Sequence, residues 1–231
     1  MASFRWYPAV VALFATTLVI SNLIAVKLID LFGLTLPAAV ILFPVVYILG
    51  DVLTEVYGYA RARQAIWIGF GCNLLAVLAV AIAGRLPASP IWTAGIYRTP
   101  EQAQAAYDAM FGFSPRLLAA SVSAYLVGEF LNAYVLARLK VATAGRWLWL
   151  RTIGSTLIGQ AADSSVFITL AFAGILPTAA LAAAVVSQWA FKTLYEAAAT
   201  PLTYFVVGRL KRLEGLDPFD RDLRFNPLPF R

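Results

Sequence analysis

No histidine occurs anywhere in the 231 residues, and there is a single cysteine, Cys72. Together these absences exclude disulfides within the chain, the usual zinc ligand sets and any nucleophilic triad that needs an imidazole base. Charge is scarce too: Asp, Glu, Lys and Arg make up 13% of the chain, against roughly a quarter in a soluble domain. Apolar residues supply 61%, more than a water-soluble fold of this length can hide. Cys72 falls in the middle of an apolar run and is expected to be a small packing residue.

What is present is a succession of long apolar stretches. A helix crossing the hydrocarbon core takes about 20 residues, and six stretches qualify, at about 8–29, 36–58, 63–84, 115–138, 147–173 and 179–208. The expected fold is all-α, a polytopic integral membrane protein with a six-helix transmembrane domain over 1–208 and a tail over 209–231. The first stretch is uncharged from Pro8 to Val26, longer than a signal-peptide core and followed by no small-residue cleavage site, so it is expected to be retained. Before the fourth, Thr99-Pro100-Glu101-Gln102 has the form of a capping box with proline at the first helical position, which predicts a short surface helix over about 100–110. Pro44 and Pro201 fall inside expected helices and should kink them.

Basic residues orient the chain. With an even number of spans, Arg5, Arg61, Arg63, Arg138, Lys140 and Arg146 share a side with the basic tail, while the opposite side carries only Arg85, Arg98 and Arg116. Positive charge marks the cytoplasmic side, so both termini are expected in the cytoplasm of a bacterial inner-membrane protein. The same bias accounts for the pI of about 9.6 without nucleic acid, and no nucleic-acid partner is expected. Lipid surrounds the helices, and the tail reads as an irregular solvated segment that could touch anionic headgroups.

Polar and ionisable residues in the middle of such helices are costly, and each marks a functional candidate. Helix by helix they are Asn22; Asp51 with Thr54 and Glu55; Glu129 and Asn132; Gln160 and Asp163; and Lys192 and Glu196. Spaced three or four apart, they extend into one-sided stripes: Ser121, Tyr125, Glu129, Asn132; Thr152, Thr156, Gln160, Asp163, Phe167; and Gln188, Lys192, Glu196, Thr200. Converging stripes would line one cavity. Three segments share a form, Gly50-Asp51-x-x-Thr54, Gly128-Glu129-x-x-Asn132 and Gly159-Gln160-x-x-Asp163, in which the glycine permits close helix approach. Matching helices 1–3 to 4–6 aligns Gly50 with Gly159, the arrangement of a 3+3 inverted repeat.

Structural alternatives stand beside these. Glu55, near a helix end, could pair with Arg61 or Arg63, and Lys192 could neutralise Glu196 at i, i+4. Arg151 and Lys27 read as anchors that snorkel to the headgroups. Asp51, Glu129 and Asp163 have no such outlet, and with nearby amides they suit a planar ligand rich in N–H donors. Trp67, Phe130, Phe167 and Trp189 are candidates to stack on it.

The stretch SNLIAVKLIDLFG (21–33) followed by ILFPVVYILGDVLTEVYGYARARQAIWIGF (41–70) resembles the queuosine precursor transporters of the vitamin-uptake-transporter type, most specifically in GDVLTEVYG. The segments AYLVGEFLNAYVLARLK, LRTIGSTLIGQAADSSVFITLAF and QWAFKTLYEAAATPLTYFVV are similar to that family's second half. Glu129 departs from the family, where glutamine is usual. The resemblance implies import of 7-deazaguanine bases for tRNA modification, namely 7-cyano-7-deazaguanine, 7-aminomethyl-7-deazaguanine or queuine. A guanine-like edge offers N1–H and a 2-amino group that Asp51 or Asp163 could accept, and a carbonyl that Asn22, Asn132 or Gln160 could donate to.

Two other classes compete. An intramembrane aspartyl protease would use Asp51 and Asp163 as a dyad, but the flanking glycine it requires is Ile48, so no enzyme is expected. A substrate-capture subunit of an energy-coupling-factor transporter fits the size, and the chain carries no phosphate-binding loop of its own. No cofactor or metal is expected, and a homo-oligomer stays open.

Overall fold

The computed structural model describes residues 4–31, 34–93, 95–112, 115–222 and 224–228. It is built of α1 (Tyr7–Ile24), β1 (Leu28–Leu31), β2 (Leu34–Pro37), a 3₁₀ turn (Ala38–Ile41), α2 (Phe43–Tyr57), α3 (Tyr59–Arg85), α4 (Pro100–Phe111), α5 (Pro115–Ala142), α6 (Leu148–Phe172) and α7 (Thr178–Glu214). Helix dominates as expected, with one exception. Where the first helix was expected to run to about 29, α1 stops at Ile24 and an antiparallel pair follows, Leu28 opposite Pro37 and Leu31 opposite Leu34.

That hairpin shifts the start of α2. Pro44 therefore lies in the first turn of the helix, where its missing N–H has no partner to lose, and it starts α2 rather than kinking it. Pro201 does sit within α7, as expected. Gly58, at φ +83°, is the hinge between α2 and α3, a conformation that favours glycine. The short helix α4 follows its signal closely: the Thr99 hydroxyl accepts from the Gln102 amide at 3.3 Å, and the Gln102 side chain accepts from the Arg98 amide at 3.0 Å.

The distribution of polarity is the reverse of a soluble core. Among the largest fully buried side chains are Arg151, Glu55, Thr152 and Asp51, whereas Leu13, Leu75, Ile82, Leu194 and Phe205 are exposed. Such a surface requires an apolar surrounding. By length and composition three helical runs among the described residues could cross a membrane, Tyr7–Ile24, Tyr59–Arg85 and Pro100–Ala142. Three of the six expected spans fall short for physical reasons. With 15 residues, α2 is short, and α6 and α7 carry the polar stripes. Cys72 is exposed on the outer face of α3, so it is not the packing residue expected.

Helices α5 and α6 cross at their glycines. A Cβ on Gly128 would lie 2.8 Å from the Asp163 Cβ, and one on Gly159 would lie 2.8 Å from the Asn132 Cβ. The apolar core, including Val10, Phe14, Val52, Leu53, Ile66 and Phe130, occupies the end of the helices nearer the chain termini. There Glu214, at the end of α7, accepts from the amides of Arg5 and Trp6 and from the Tyr57 hydroxyl, joining the two ends of the chain.

The expected solvated tail is instead docked. The Asp220 carboxylate accepts from the Tyr59 amide at 3.0 Å, the Asn226 carbonyl from Arg63 at 2.9 Å, and the Pro227 carbonyl from the Trp67 indole at 2.6 Å. The Tyr59 amide is one of the backbone donors at a helix start that lack a partner within it, the Arg63 and Trp67 side chains add two more donors on the following turns, and the tail carries the acceptors.

Candidate functional site

A cavity of about 680 Å³ lies between the helices at the end remote from both termini. It is walled by the last turns of α1, the start of α2, the first halves of α5 and α7 and the second half of α6. Five of the predicted polar residues line it: Asn22, Glu129, Gln160, Asp163 and Lys192. The polar stripes thus do converge, because their one-sided spacing faces each helix inward. Of the predicted aromatics only Phe167 reaches the cavity.

Asp51, Asn132 and Glu196 sit behind that wall and are not among its lining residues. Asp51 is 1% exposed and its Oδ1 accepts from Asn132 Nδ2 at 3.3 Å. Trp67 and Phe130 pack against each other in the apolar core, ring centroids 5.8 Å apart, and the Trp67 N–H is taken by the tail. The Trp189 indole donates to the Leu157 carbonyl at 3.0 Å, outside the cavity. Those three aromatics are therefore packing residues in this structure, because each has its ring edge or N–H committed elsewhere.

Within the cavity Lys192 reaches across to the Asp163 carboxylate on α6, not along its own helix to Glu196. Asn22 donates to the Asn73 carbonyl oxygen at 2.9 Å. Asn73 is 6% exposed in the uncharged stretch of α3 between Ala65 and Gly84, and a lone amide in that setting was a signal the stripe argument passed over. Also missed were Phe43, Tyr47 and Phe191, which supply aromatic wall. Tyr47 stands one turn before Asp51 and Phe191 three residues after Gln188, so helical spacing from the polar residues was the signal that could have found those two; Phe43, beside Pro44, had none. Glu129 has no cation of its own, since Lys192 is engaged with Asp163. Its Oε2 fills the space beside Gly50, 3.3 Å from where a Cβ would stand.

At the opposite end the cavity is closed by charge. Glu55, wholly buried, accepts from Arg151 at 2.7 Å and Lys211 at 2.6 Å and lies 3.5 Å from Lys140. Glu55 is thus held by three other helices rather than by Arg61 or Arg63, because its side chain points into the bundle. Arg151, 1% exposed, is a buried partner and not a headgroup anchor. Asp217 of the tail completes the network, 2.6 Å from Lys140 and 2.8 Å from Lys211. Burial pushes the Asp217 carboxyl up, but the two ammonium groups that hydrogen-bond it outweigh this and hold it below the usual carboxylate range.

An apolar exterior around a polar cavity closed at one end by ion pairs defines a membrane transport protein. The chain belongs to the vitamin uptake transporter family: residues 37–206 match the family model described as "Putative vitamin uptake transporter". A relative in Bacillus subtilis (strain 168), named "Probable queuosine precursor transporter", is 36% identical over 165 residues, covering 71% of this chain and 67% of that protein. No solved structure matches.

Proposed function

We propose that the protein imports 7-deazaguanine bases across the bacterial inner membrane, as 7-cyano-7-deazaguanine, 7-aminomethyl-7-deazaguanine or queuine, to supply the tRNA modification queuosine. The name of the Bacillus relative supports the substrate class, and the cavity supports the chemistry. The observation that carries the reading is that one cavity is lined together by Glu129, a carboxylate with no ion pair among the described residues, by the amides of Asn22 and Gln160, and by the rings of Tyr47 and Phe167. A carboxylate accepts from N1–H and the 2-amino group together, an amide donates to the ring carbonyl, and flat aromatic walls suit a planar base. The pair Asp163 and Lys192 offers both signs to the substituent at position 7.

In this reading all of α1, α2, α3, α5, α6 and α7 span the bilayer with both termini cytoplasmic, and α4 lies at the far surface. The two three-helix halves rock about the midplane, presenting the cavity to either side in turn. The closed end near the termini and the cavity at the other end fit an outward-facing state.

The test is uptake of radiolabelled 7-cyano-7-deazaguanine by the protein alone in liposomes. Expected is saturable entry competed by the aminomethyl base and queuine but not by adenine. Binding without entry would identify a capture subunit that needs separate ATPases, and no binding of any deazaguanine would end the proposal.

A further inference from the structure

We propose that Asp51 and Glu196, two buried carboxylates behind the cavity, carry exchangeable protons and form the coupling site of a proton-driven carrier, an inference that rests on the transport reading above. Both are sealed from solvent, at 1% and 4% exposure. Asp51 has its Oδ1 on Asn132, while its Oδ2 has no hydrogen-bond partner among the described residues. Glu196 Oε1 has none either. The Thr156 hydroxyl, 1% exposed, faces the Glu196 carboxyl without closing a bond of good geometry and has no other partner.

No base among the described residues neutralises them. Lys192 is engaged with Asp163, and Arg151, Lys140 and Lys211 with Glu55. The titratable side chains within a turn of them on their own helices are Tyr47 and Glu55 on α2 and Lys192 and Tyr195 on α7, and α5 and α6, packed against those helices, add Glu129, Asp163 and Arg151. The cations in reach are thus already matched. A carboxylate buried without a cation in a lipid-embedded bundle is costly to hold ionised, so a proton is its natural partner. A metal fits poorly, as no three acids among the described residues converge closely enough to hold one.

The placement links this proton to the substrate. Glu129 lines the cavity, and Asn132, one turn along α5 from Glu129, holds Asp51 directly. A base that engages Glu129 therefore acts on the turn of α5 that holds Asp51. Beyond it Glu55, one turn along α2 from Asp51, sits in the closed end. Acids thus run from the cavity wall to the seal, as in proton relays of other pumps and carriers. One proton is taken from water at the cavity and released on the far side once that end opens.

Two readouts test this. Infrared difference spectra of the wild-type protein in membranes should show protonated-carboxyl bands at neutral pH that shift when 7-cyano-7-deazaguanine is added. Those bands should be lost in Asp51→Asn and Glu196→Gln. Separately, wild-type proteoliposomes with a one-unit pH gradient and no membrane potential should accumulate that neutral base up to about tenfold, the limit for one proton per molecule. Absence of the bands, accumulation only to equilibrium while exchange of labelled base is intact, or drive by a sodium gradient instead, would each overturn the proposal. Loss of all exchange with the bands still present would overturn the transport reading and leave the protonated pair in place.

Discussion

Glu129 concentrates the chemistry of the site in one side chain, a carboxylate facing the cavity with no cation of its own. Replacing it by glutamine keeps shape and one acceptor but removes the charge-assisted bonds, each about 1.5–3 kcal/mol. Expected for Glu129→Gln is a Kd raised roughly 10- to 100-fold for the cyano and aminomethyl bases alike, since both present the same N1–H and 2-amino edge. Isothermal titration in detergent measures both; a loss confined to the aminomethyl base would place Glu129 against the position-7 substituent instead. Asp163 differs, because it and Lys192 are 18% and 14% exposed and depend on one another. Asp163→Asn strands the ammonium and should cost about 3 kcal/mol of stability, a loss that Asp163→Asn with Lys192→Met should partly recover. That these acids matter was legible in the sequence, since any charge there opposes insertion. Which polar side chain faces the cavity and which is buried behind it was not, because Glu129 and Asn132 sit three apart on one stripe and differ only in depth.

At the scale of elements, glycine spacing carried the most information. The shared form around Gly128 and Gly159 anticipated a close crossing, and the crossing is reciprocal, each glycine lying under the other helix's polar residue. Gly128→Ala must push the Cβ of Asp163 aside and should cost about 1–3 kcal/mol, read as a lower melting midpoint of the purified protein. Gly71→Ala, on α3 with open space around its missing Cβ, should leave the midpoint where it is. Helix ends were less legible. Between Val26 and Leu31 only Lys27 and Asp30 interrupt the apolar residues, a pattern that reads as the end of a helix rather than as the strand found there. The hairpin that follows depends on pairing between residues 28–31 and 34–37, a tertiary choice that composition leaves undetermined. The tail was misread for a similar reason: mixed charge and three prolines look solvated until their acceptors meet the open donors at the start of α3.

For the molecule as a whole, the tail and the ion network together close one end. Asp217 ties them, and its folded carboxyl titrates below the ordinary value. A depressed acid contributes stability that is complete above the unfolded value of about 3.9 and is lost as pH falls through the folded one. Tail docking should therefore hold unchanged from neutral pH down to about pH 4 and loosen only below that. Hydrogen exchange at the Tyr59 amide, which the tail covers through Asp220, follows it directly. Asp217→Asn should raise that exchange at neutral pH.

Glu55 is the center of the seal, the single acid on which Arg151, Lys140 and Lys211 converge from three helices. Neutralising it strands Arg151 and leaves Lys140 and Lys211 with Asp217 as their one remaining acid partner among the described residues, so the energy that keeps this end shut falls. In a carrier that alternates between two states, each 1.4 kcal/mol taken from one of them shifts the populations by about tenfold. Ser155, buried on α6 one turn beyond Arg151, reports on that opening. With Cys72→Ser as background, Ser155→Cys should react slowly with an impermeant maleimide applied from the cytoplasmic face. Adding Glu55→Gln should speed the reaction at least about tenfold, and a deazaguanine supplied from the other side should slow it again by favouring the state in which the cavity is open there. Equal rates with and without Glu55 would mean that the end is held by the apolar contacts of Val52, Leu53 and Val56 alone, and that the charges only orient the tail.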